Sequence, residues 1–133
     1  MTPTGVDTNV LLRLLVDDDS VQAASARLFF QSRSPQFPVH VSWIVLVELV
    51  WTLRSRYGYE NSDILNVVAG LCRRPDVRME RSDLVLNAVD KANAGAGFSD
   101  ALIALGNGAA GCDRTVTFDR GASRKLAQMA LLE

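Results

Sequence analysis

The hydrophobic pattern of the chain alternates short runs of branched residues with longer stretches whose apolar residues recur every three to four positions. The short runs predict strands at 2–6, 39–41, 77–80, 114–118 and 130–132. The longer stretches predict helices at 10–15, 21–31, 43–56, 61–72, 82–92, 98–111 and 121–129. Strands that alternate with helices predict an α/β fold, in which a parallel sheet carries helices on both faces.

The helix predicted at 43–56 is the most apolar of the chain, and Glu48 is the one charged residue in its middle. Burying an unpaired carboxylate costs several kcal/mol, so Glu48 needs a partner or a pocket. Thr52 lies one turn further along the same face and is expected to line that pocket. For the helix at 21–31, the spacing favours Ala24, Leu28 and Phe29 on one apolar side.

Three aspartates stand at the ends of predicted elements. Asp7 and Asp119 follow strands, and Asp100 lies in the first turn of the helix that begins at Phe98. In parallel sheets, ligands bind beyond the carboxyl ends of the strands, so we expect these aspartates to meet Glu48 in one pocket. Each acid also has an ordinary reading: Asp7 and Asp100 as helix caps, Asp119 as a turn residue, and Glu48 as the partner of a buried arginine.

Four clustered carboxylates cannot all stay ionised without cations, and hard oxygen ligands favour Mg²⁺ or Mn²⁺ over zinc. One or two such ions activate water and hold a scissile phosphate, which predicts phosphodiester hydrolysis. Other chemistries lack their residues. His40 is the single histidine, which excludes a nuclease with two catalytic histidines, and neither a phosphate-binding glycine loop nor a serine-nucleophile motif is present.

Length and charge add moderate constraints. The 133 residues fit one domain spanning 1–133, and the net charge of −1 gives no overall attraction for a polyanion. RNA binding would therefore need a local patch, for which the candidates, each with a solvated face as its ordinary reading, are Arg13, Arg54, Arg56, Arg120, Arg124 and Lys125. Cys72 and Cys112 are expected to be small buried thiols in a reducing compartment. Without an apolar run near the ~20 residues of a membrane span, we expect a cytoplasmic protein that does not enter membranes.

Four stretches in this order resemble those of the PIN-domain ribonucleases, and most closely the VapC-type toxins of VapBC toxin–antitoxin modules. The stretches are Val6-Asp7-Thr8-Asn9-Val10-Leu11, Val47-Glu48-Leu49-Val50-Trp51-Thr52-Leu53, Phe98-Ser99-Asp100-Ala101-Leu102-Ile103-Ala104 and Thr117-Phe118-Asp119. The resemblance implies a three-layer α/β/α fold with a five-stranded parallel sheet of order 3-2-1-4-5.

The resemblance also implies an Mg²⁺- or Mn²⁺-dependent endoribonuclease that acts on tRNA or rRNA, with Asp7, Glu48, Asp100 and Asp119 as the acidic quartet. In it, Thr8 and Asn9 support the first aspartate and Thr117 supports the last. It implies a homodimer and a cognate VapB-type antitoxin whose tail blocks the pocket. Two features depart from the pattern: Gly97 stands where many relatives carry a further acid, and Thr2-Pro3-Thr4 makes the first strand less apolar.

Two other classes of function remain open at this stage. A non-catalytic PIN-like module would bind RNA or a protein without cleaving either. A phosphoryl-transfer protein would use Asp7 as a nucleophile. A receiver domain needs adjacent acids after the first strand and a late lysine, and an aspartate-dependent phosphatase needs an acid where Asn9 stands, so this class fits poorly.

Overall fold

A computed structural model describes residues 2–16 and 18–132 of the chain. Seven helices and five strands lie in these residues. In chain order they are β1 (Thr4–Gly5), α1 (Thr8–Leu15), α2 (Ser20–Gln31), β2 (Val39–Val41), α3 (Trp43–Ser55), α4 (Asn61–Arg73), β3 (Val77–Met79), α5 (Ser82–Asn93), α6 (Phe98–Ala109), β4 (Thr115–Thr117), α7 (Arg120–Lys125) and β5 (Met129–Leu131). This order confirms the predicted α/β class.

The strands form two parallel sheets within two compact units. The N-terminal unit, Met1–Glu80, holds a sheet of order β1-β2-β3, and the C-terminal unit, Arg81–Glu133, holds the pair β4-β5. Every strand pair is parallel, with Val39 opposite Val77 and Thr115 opposite Met129. The single five-stranded sheet of order 3-2-1-4-5 therefore stays a prediction, of which the order within each half agrees with the structure.

Helix α3 forms the centre of the N-terminal core. It begins after Ser42, whose side chain accepts a hydrogen bond from the Val45 amide at 3.3 Å and so caps the helix. Leu46, Leu49 and Leu53 are each fully buried, at spacings of three and four residues. This periodicity keeps the opposite side of α3 free to present Glu48 toward solvent.

Helix α2 is rotated relative to the expected packing. Its buried residues are Ala23, Ala26 and Phe30, whereas Ala24 and Leu28 are exposed. The expected apolar side is therefore wrong for these two residues. Two alanines allow the helix backbone to approach its neighbours closely, and Phe30 supplies the large buried group. The position of that aromatic ring decides the rotation, while Leu28 is left 67% exposed.

Two polar ties close the N-terminal unit. Arg74 donates two hydrogen bonds of 2.9 Å to the Asp76 carboxylate, and its guanidinium lies 5.3 Å from the centre of the Phe30 ring. Trp43 donates from its backbone to Glu80 Oε1 at 2.8 Å and from its indole to the Glu80 carbonyl at 2.6 Å. These contacts fix the two ends of strand β3 against the surrounding helices.

The C-terminal unit is built on α6, which packs mainly against α5 and β4. Ala101 and Ala104 are buried on α6, and Asn107 on the same helix donates to the Thr115 hydroxyl at 2.9 Å. Small residues permit a close approach of this helix to its neighbours. None of the helices in the described part of the chain combines the length and apolar character needed to cross a membrane.

Candidate active site

Asp7 stands at the start of α1 and acts as its N-cap. Its backbone is extended, with φ −91° and ψ 176°, and its Oδ1 accepts a hydrogen bond from the Val10 amide at 3.2 Å. The ordinary reading of Asp7 as a helix cap is therefore confirmed. Capping uses one carboxylate oxygen, and the side chain remains exposed to solvent, so the same residue is also available to bind a cation.

Glu48 is held by a hydroxyl group rather than by an arginine. The Thr8 hydroxyl donates to Glu48 Oε1 across 40 positions of sequence, joining the first turn of α1 to the middle of α3. Thr8 is only 5% exposed, whereas Glu48 is exposed. A buried donor that points at an exposed carboxylate fixes its direction without removing its charge. This contact gives Thr8 a physical role as a supporting residue.

Asp7 and Glu48 line one small cavity of the N-terminal unit, with a volume of about 270 Å³. The lining residues are Asp7, Thr8, Asn9, Leu12, Glu48, Trp51, Thr52 and Arg56. The structure thus brings together two of the four predicted acids, both residues expected to support the first aspartate, and Thr52. The cavity is large enough for a hydrated cation and part of a phosphate group.

The other two acids lie in the C-terminal unit. Asp119 follows β4 and caps α7, with its Oδ1 accepting from the Ala122 amide at 3.0 Å. The Asp119 amide donates to the Thr117 hydroxyl at 3.0 Å, and the role of Thr117 in the site stays a prediction. Asp100 lies in the first turn of α6, where Gly97 takes the cap position, so Asp100 is not itself the cap. The convergence of all four acids stays a prediction.

Two glycines make room for these carboxylates, a role that the sequence analysis missed. A Cβ atom at Gly97 would lie 3.1 Å from Asp100 Oδ2, and one at Gly121 would lie 3.2 Å from Asp119 Oδ1. Both distances are shorter than ordinary van der Waals contact, so a side chain at either position would press on the acid. The glycine three residues before Asp100 and the one two residues after Asp119 were the available signals.

The structure separates the candidate RNA-binding arginines. Arg56 is exposed and lines the cavity that holds Asp7 and Glu48. Arg13 lines an adjacent cavity of about 550 Å³ that also contains Asp7, and Arg54 donates to Asn61 at 3.1 Å. Arg120 and Arg124 are exposed on α7, next to Asp119. Arg56 therefore shares a cavity with two predicted catalytic acids.

A polar network includes Arg13, which lines one of the Asp7 cavities. Asp18 accepts a hydrogen bond from the Tyr57 hydroxyl at 2.7 Å and pairs with Arg13. The Tyr57 hydrogen bond and the charge of Arg13 hold the pKa of the Asp18 carboxyl below its ordinary value. Asp18 therefore stays ionised at neutral pH, and it ties the end of α1 to the residues that follow α3.

The donor atoms in each unit match the chemistry of a hard divalent cation. In neither unit do three or more histidine, cysteine, aspartate and glutamate side chains of the described residues gather as a ready metal cluster. Carboxylate oxygens are nevertheless what Mg²⁺ binds, commonly through one or two protein ligands with water and substrate phosphate completing the shell. Asp7 and Glu48 beside the Thr8 hydroxyl fit that requirement.

A comparison with protein-family models matches the chain to the PIN domain over residues 6–126. The matched range includes Asp7, Glu48, Asp100 and Asp119, together with every residue that lines the cavity shared by Asp7 and Glu48. No curated protein matches the chain significantly.

Proposed function

The chain belongs to the PIN domain family, whose members are typically nucleases, and on that premise we propose that it is a metal-dependent endoribonuclease. The observation that carries the proposal is the Glu48 carboxylate, which the buried Thr8 hydroxyl directs into a cavity shared with Asp7. An exposed acid in the apolar part of this helix adds nothing to the packing of the core. Its fixed direction beside a second acid is the arrangement that a cation site requires.

Asp7, Glu48, Asp100 and Asp119 are the residues that would hold Mg²⁺ or Mn²⁺, as one or two ions. When bound, such a cation supplies Lewis-acid chemistry, which polarises a phosphate oxygen and lowers the pKa of water. The chain's own contribution is orientation: Thr8 directs Glu48, and the Thr117 hydroxyl fixes the amide of Asp119. The Arg56 guanidinium binds an RNA phosphate and offsets the negative charge of the cavity.

We propose further that β1 and β4 pair, which joins the two sheets in the order 3-2-1-4-5. In the described residues each of these strands has a partner on one side only, β2 for β1 and β5 for β4. Strand β4 and the residue after it expose large apolar groups, with Val116 50% and Phe118 78% exposed. A pairing of the two open edges would place Asp7 and Asp119 at the carboxyl ends of neighbouring strands.

Amide hydrogen exchange tests this pairing. The Thr4 amide donates to Pro38 and the Thr115 amide to Gln128, so the alternate amides of Gly5 and Val116 point toward the open edges. We expect the Gly5 and Val116 amides to exchange slowly, because both donate hydrogen bonds between β1 and β4 when these strands pair. Nuclear magnetic resonance resolves each amide, with Thr4 and Thr115 as controls that are protected in either case. Exchange of Gly5 and Val116 at the rate of a free peptide would contradict the joined sheet.

The biological role that we propose is that of a VapC-type toxin, neutralised by a VapB-type antitoxin and active as a homodimer on tRNA or rRNA. The ordered match of four acid-bearing stretches supports the subfamily. A protein partner is supported by α2, where Val21, Ala24 and Leu28 form an exposed apolar stripe, with Val21 75% and Leu28 67% exposed. Such stripes on a small domain mark contact surfaces.

Incubation of the purified chain with total cellular RNA tests the activity. We expect discrete cleavage products in Mg²⁺ or Mn²⁺, and intact RNA when EDTA is added, because the carboxylates alone supply neither a nucleophile nor a Lewis acid. Cleavage that persists in EDTA would contradict the metal dependence. Intact RNA under every metal condition would instead favour the non-catalytic module that binds RNA or a partner protein.

A further inference from the structure

Trp51 lies where a polar cavity meets an apolar surface. It follows Glu48 by one turn of α3 and lines the cavity of about 270 Å³ that contains Asp7 and Glu48. It also lines a second, almost wholly apolar cavity together with Trp43, Ile44, Val47 and Glu48. Its side chain is 65% exposed. An indole exposed to solvent lacks the hydrophobic stabilisation that it would gain when buried. A ligand with an apolar face would bury it.

The second tryptophan of this region is bound differently. Trp43 donates from its indole nitrogen to the Glu80 carbonyl at 2.6 Å, and its backbone amide contacts the Glu80 carboxylate at 2.8 Å. Trp43 therefore has a structural task within the N-terminal unit. Trp51 is the exposed aromatic ring at the mouth of the acidic cavity, and its face is open for stacking.

A phosphate-binding group stands in the same cavity. Arg56 is the residue that ends α3, and it lines the cavity together with Trp51 and Thr52. Its guanidinium lies 5.6 Å from the centre of the Tyr57 ring, which steers this long side chain. An indole and a guanidinium at one cavity mouth match the two parts of a nucleotide, since the base stacks on the aromatic ring and the phosphate pairs with the arginine.

We propose that Trp51 and Arg56 form a nucleotide clamp that positions the RNA strand at the acidic cavity. In this clamp the indole of Trp51 stacks on a splayed base, and Arg56 binds a phosphate on the strand that passes Asp7 and Glu48. The proposal rests on the ribonuclease function and assigns substrate positioning to two residues outside the acidic quartet. A base inside a duplex does not fit the clamp, because it is already stacked and its faces do not reach an aromatic side chain.

A protein partner on the same surface is the competing occupant. Ile44, Val47 and Trp51 recur along one side of α3, and Ile44 is 82% exposed. RNA fits this surface better than a protein does. The surface ends at a cavity lined by Asp7, Glu48 and Arg56. A packed apolar interface would remove these three charged groups from water, which costs free energy. Ile44 lines the apolar cavity but not the acidic one, so it distinguishes the two occupants.

The experiment measures RNA binding separately from cleavage. Every protein carries Asp7→Asn, which is expected to stop turnover, and the probe is a fluorescein-labelled 12-nucleotide single strand in Mg²⁺, read by fluorescence anisotropy. We expect Trp51→Ala to weaken binding about tenfold, on the order found for loss of one base–aromatic stack. Trp51→Phe should retain part of the affinity, and Ile44→Ala should bind as the parent does. A blunt, fully paired duplex of 12 base pairs should bind weakly to all of them.

The possible outcomes distinguish RNA from a protein partner as the occupant of this surface. Equal affinity of the Trp51→Ala and Ile44→Ala proteins for the single strand would overturn the clamp, and so would absence of binding by the parent. If both substitutions leave RNA affinity unchanged but alter the mass measured by light scattering, the surface is a protein interface. The ribonuclease proposal is tested separately, by cleavage with the unsubstituted chain. Binding that depends on Trp51 without any cleavage would contradict the ribonuclease proposal and support the clamp.

Discussion

Asp7→Asn is expected to lower the rate of RNA cleavage on the order of 10²–10³-fold. A divalent cation contributes several kcal/mol of charge stabilisation in the transition state, and each 1.36 kcal/mol corresponds to a factor of ten in rate. Asparagine keeps the shape of the side chain but removes the charge that attracts the cation. The measurement is the initial rate of cleavage of a labelled RNA in Mn²⁺, at equal concentrations of folded protein.

The substitution isolates charge because asparagine caps helices as well as aspartate does. The α1 cap, in which Asp7 accepts from the Val10 amide, therefore survives, and the melting temperature should stay within a few degrees. Asp19→Asn is the matched control, since Asp19 caps α2 through the Gln22 amide at 3.0 Å and lines none of the cavities beside Asp7. Equal activity of the two variants would refute a role for the Asp7 charge.

Leu49→Ala is expected to destabilise the protein by about 2–5 kcal/mol, the range for deletion of a fully buried leucine side chain. Leu49 is 0% exposed at the centre of α3, directly after Glu48. The loss combines the missing apolar burial with the cavity left among neighbours that relax only in part. Urea unfolding followed by circular dichroism gives the free energy, and we expect a fall in melting temperature of about 10 °C or more.

Ile44→Ala on the same helix provides the control for helix propensity and for loss of an aliphatic side chain. Ile44 is 82% exposed, so its truncation should change stability by no more than about 0.5 kcal/mol. Similar losses for the two variants would mean that the exposed side of α3 is covered in solution. A small loss for Leu49→Ala would contradict the assignment of α3 to the centre of the core.

The elements of the fold could largely be predicted because their signals are local. Strand β2 and the start of α3 at Trp43 are found where the sequence places them, since alternating valines and the beginning of an apolar run are signals that act over a few residues. The position of Asp7 at the start of a helix follows from the same local logic, whereas Asp119, which the sequence suggests as a turn residue, caps α7. Membership of the PIN family rests on a match that extends over residues 6–126.

The features that the sequence did not predict depend on tertiary contacts. The rotation of α2 is decided by where Phe30 and two alanines pack, and the 3.6-residue period alone does not distinguish that side from one containing Leu28. The partner of Glu48 is Thr8, which lies 40 residues away and carries no charge to suggest the contact. How β1 and β4 relate is likewise a long-range question, because very short strands carry little information about their neighbours.

The space beside Asp100 has a consequence for protein engineering. A Cβ atom at Gly97 would lie 3.1 Å from Asp100 Oδ2, so the carboxylate would have to move by a few tenths of an ångström to admit one. We therefore expect a side chain introduced at Gly97 to be tolerated better when the whole 95–100 segment is exchanged than when this one residue is replaced.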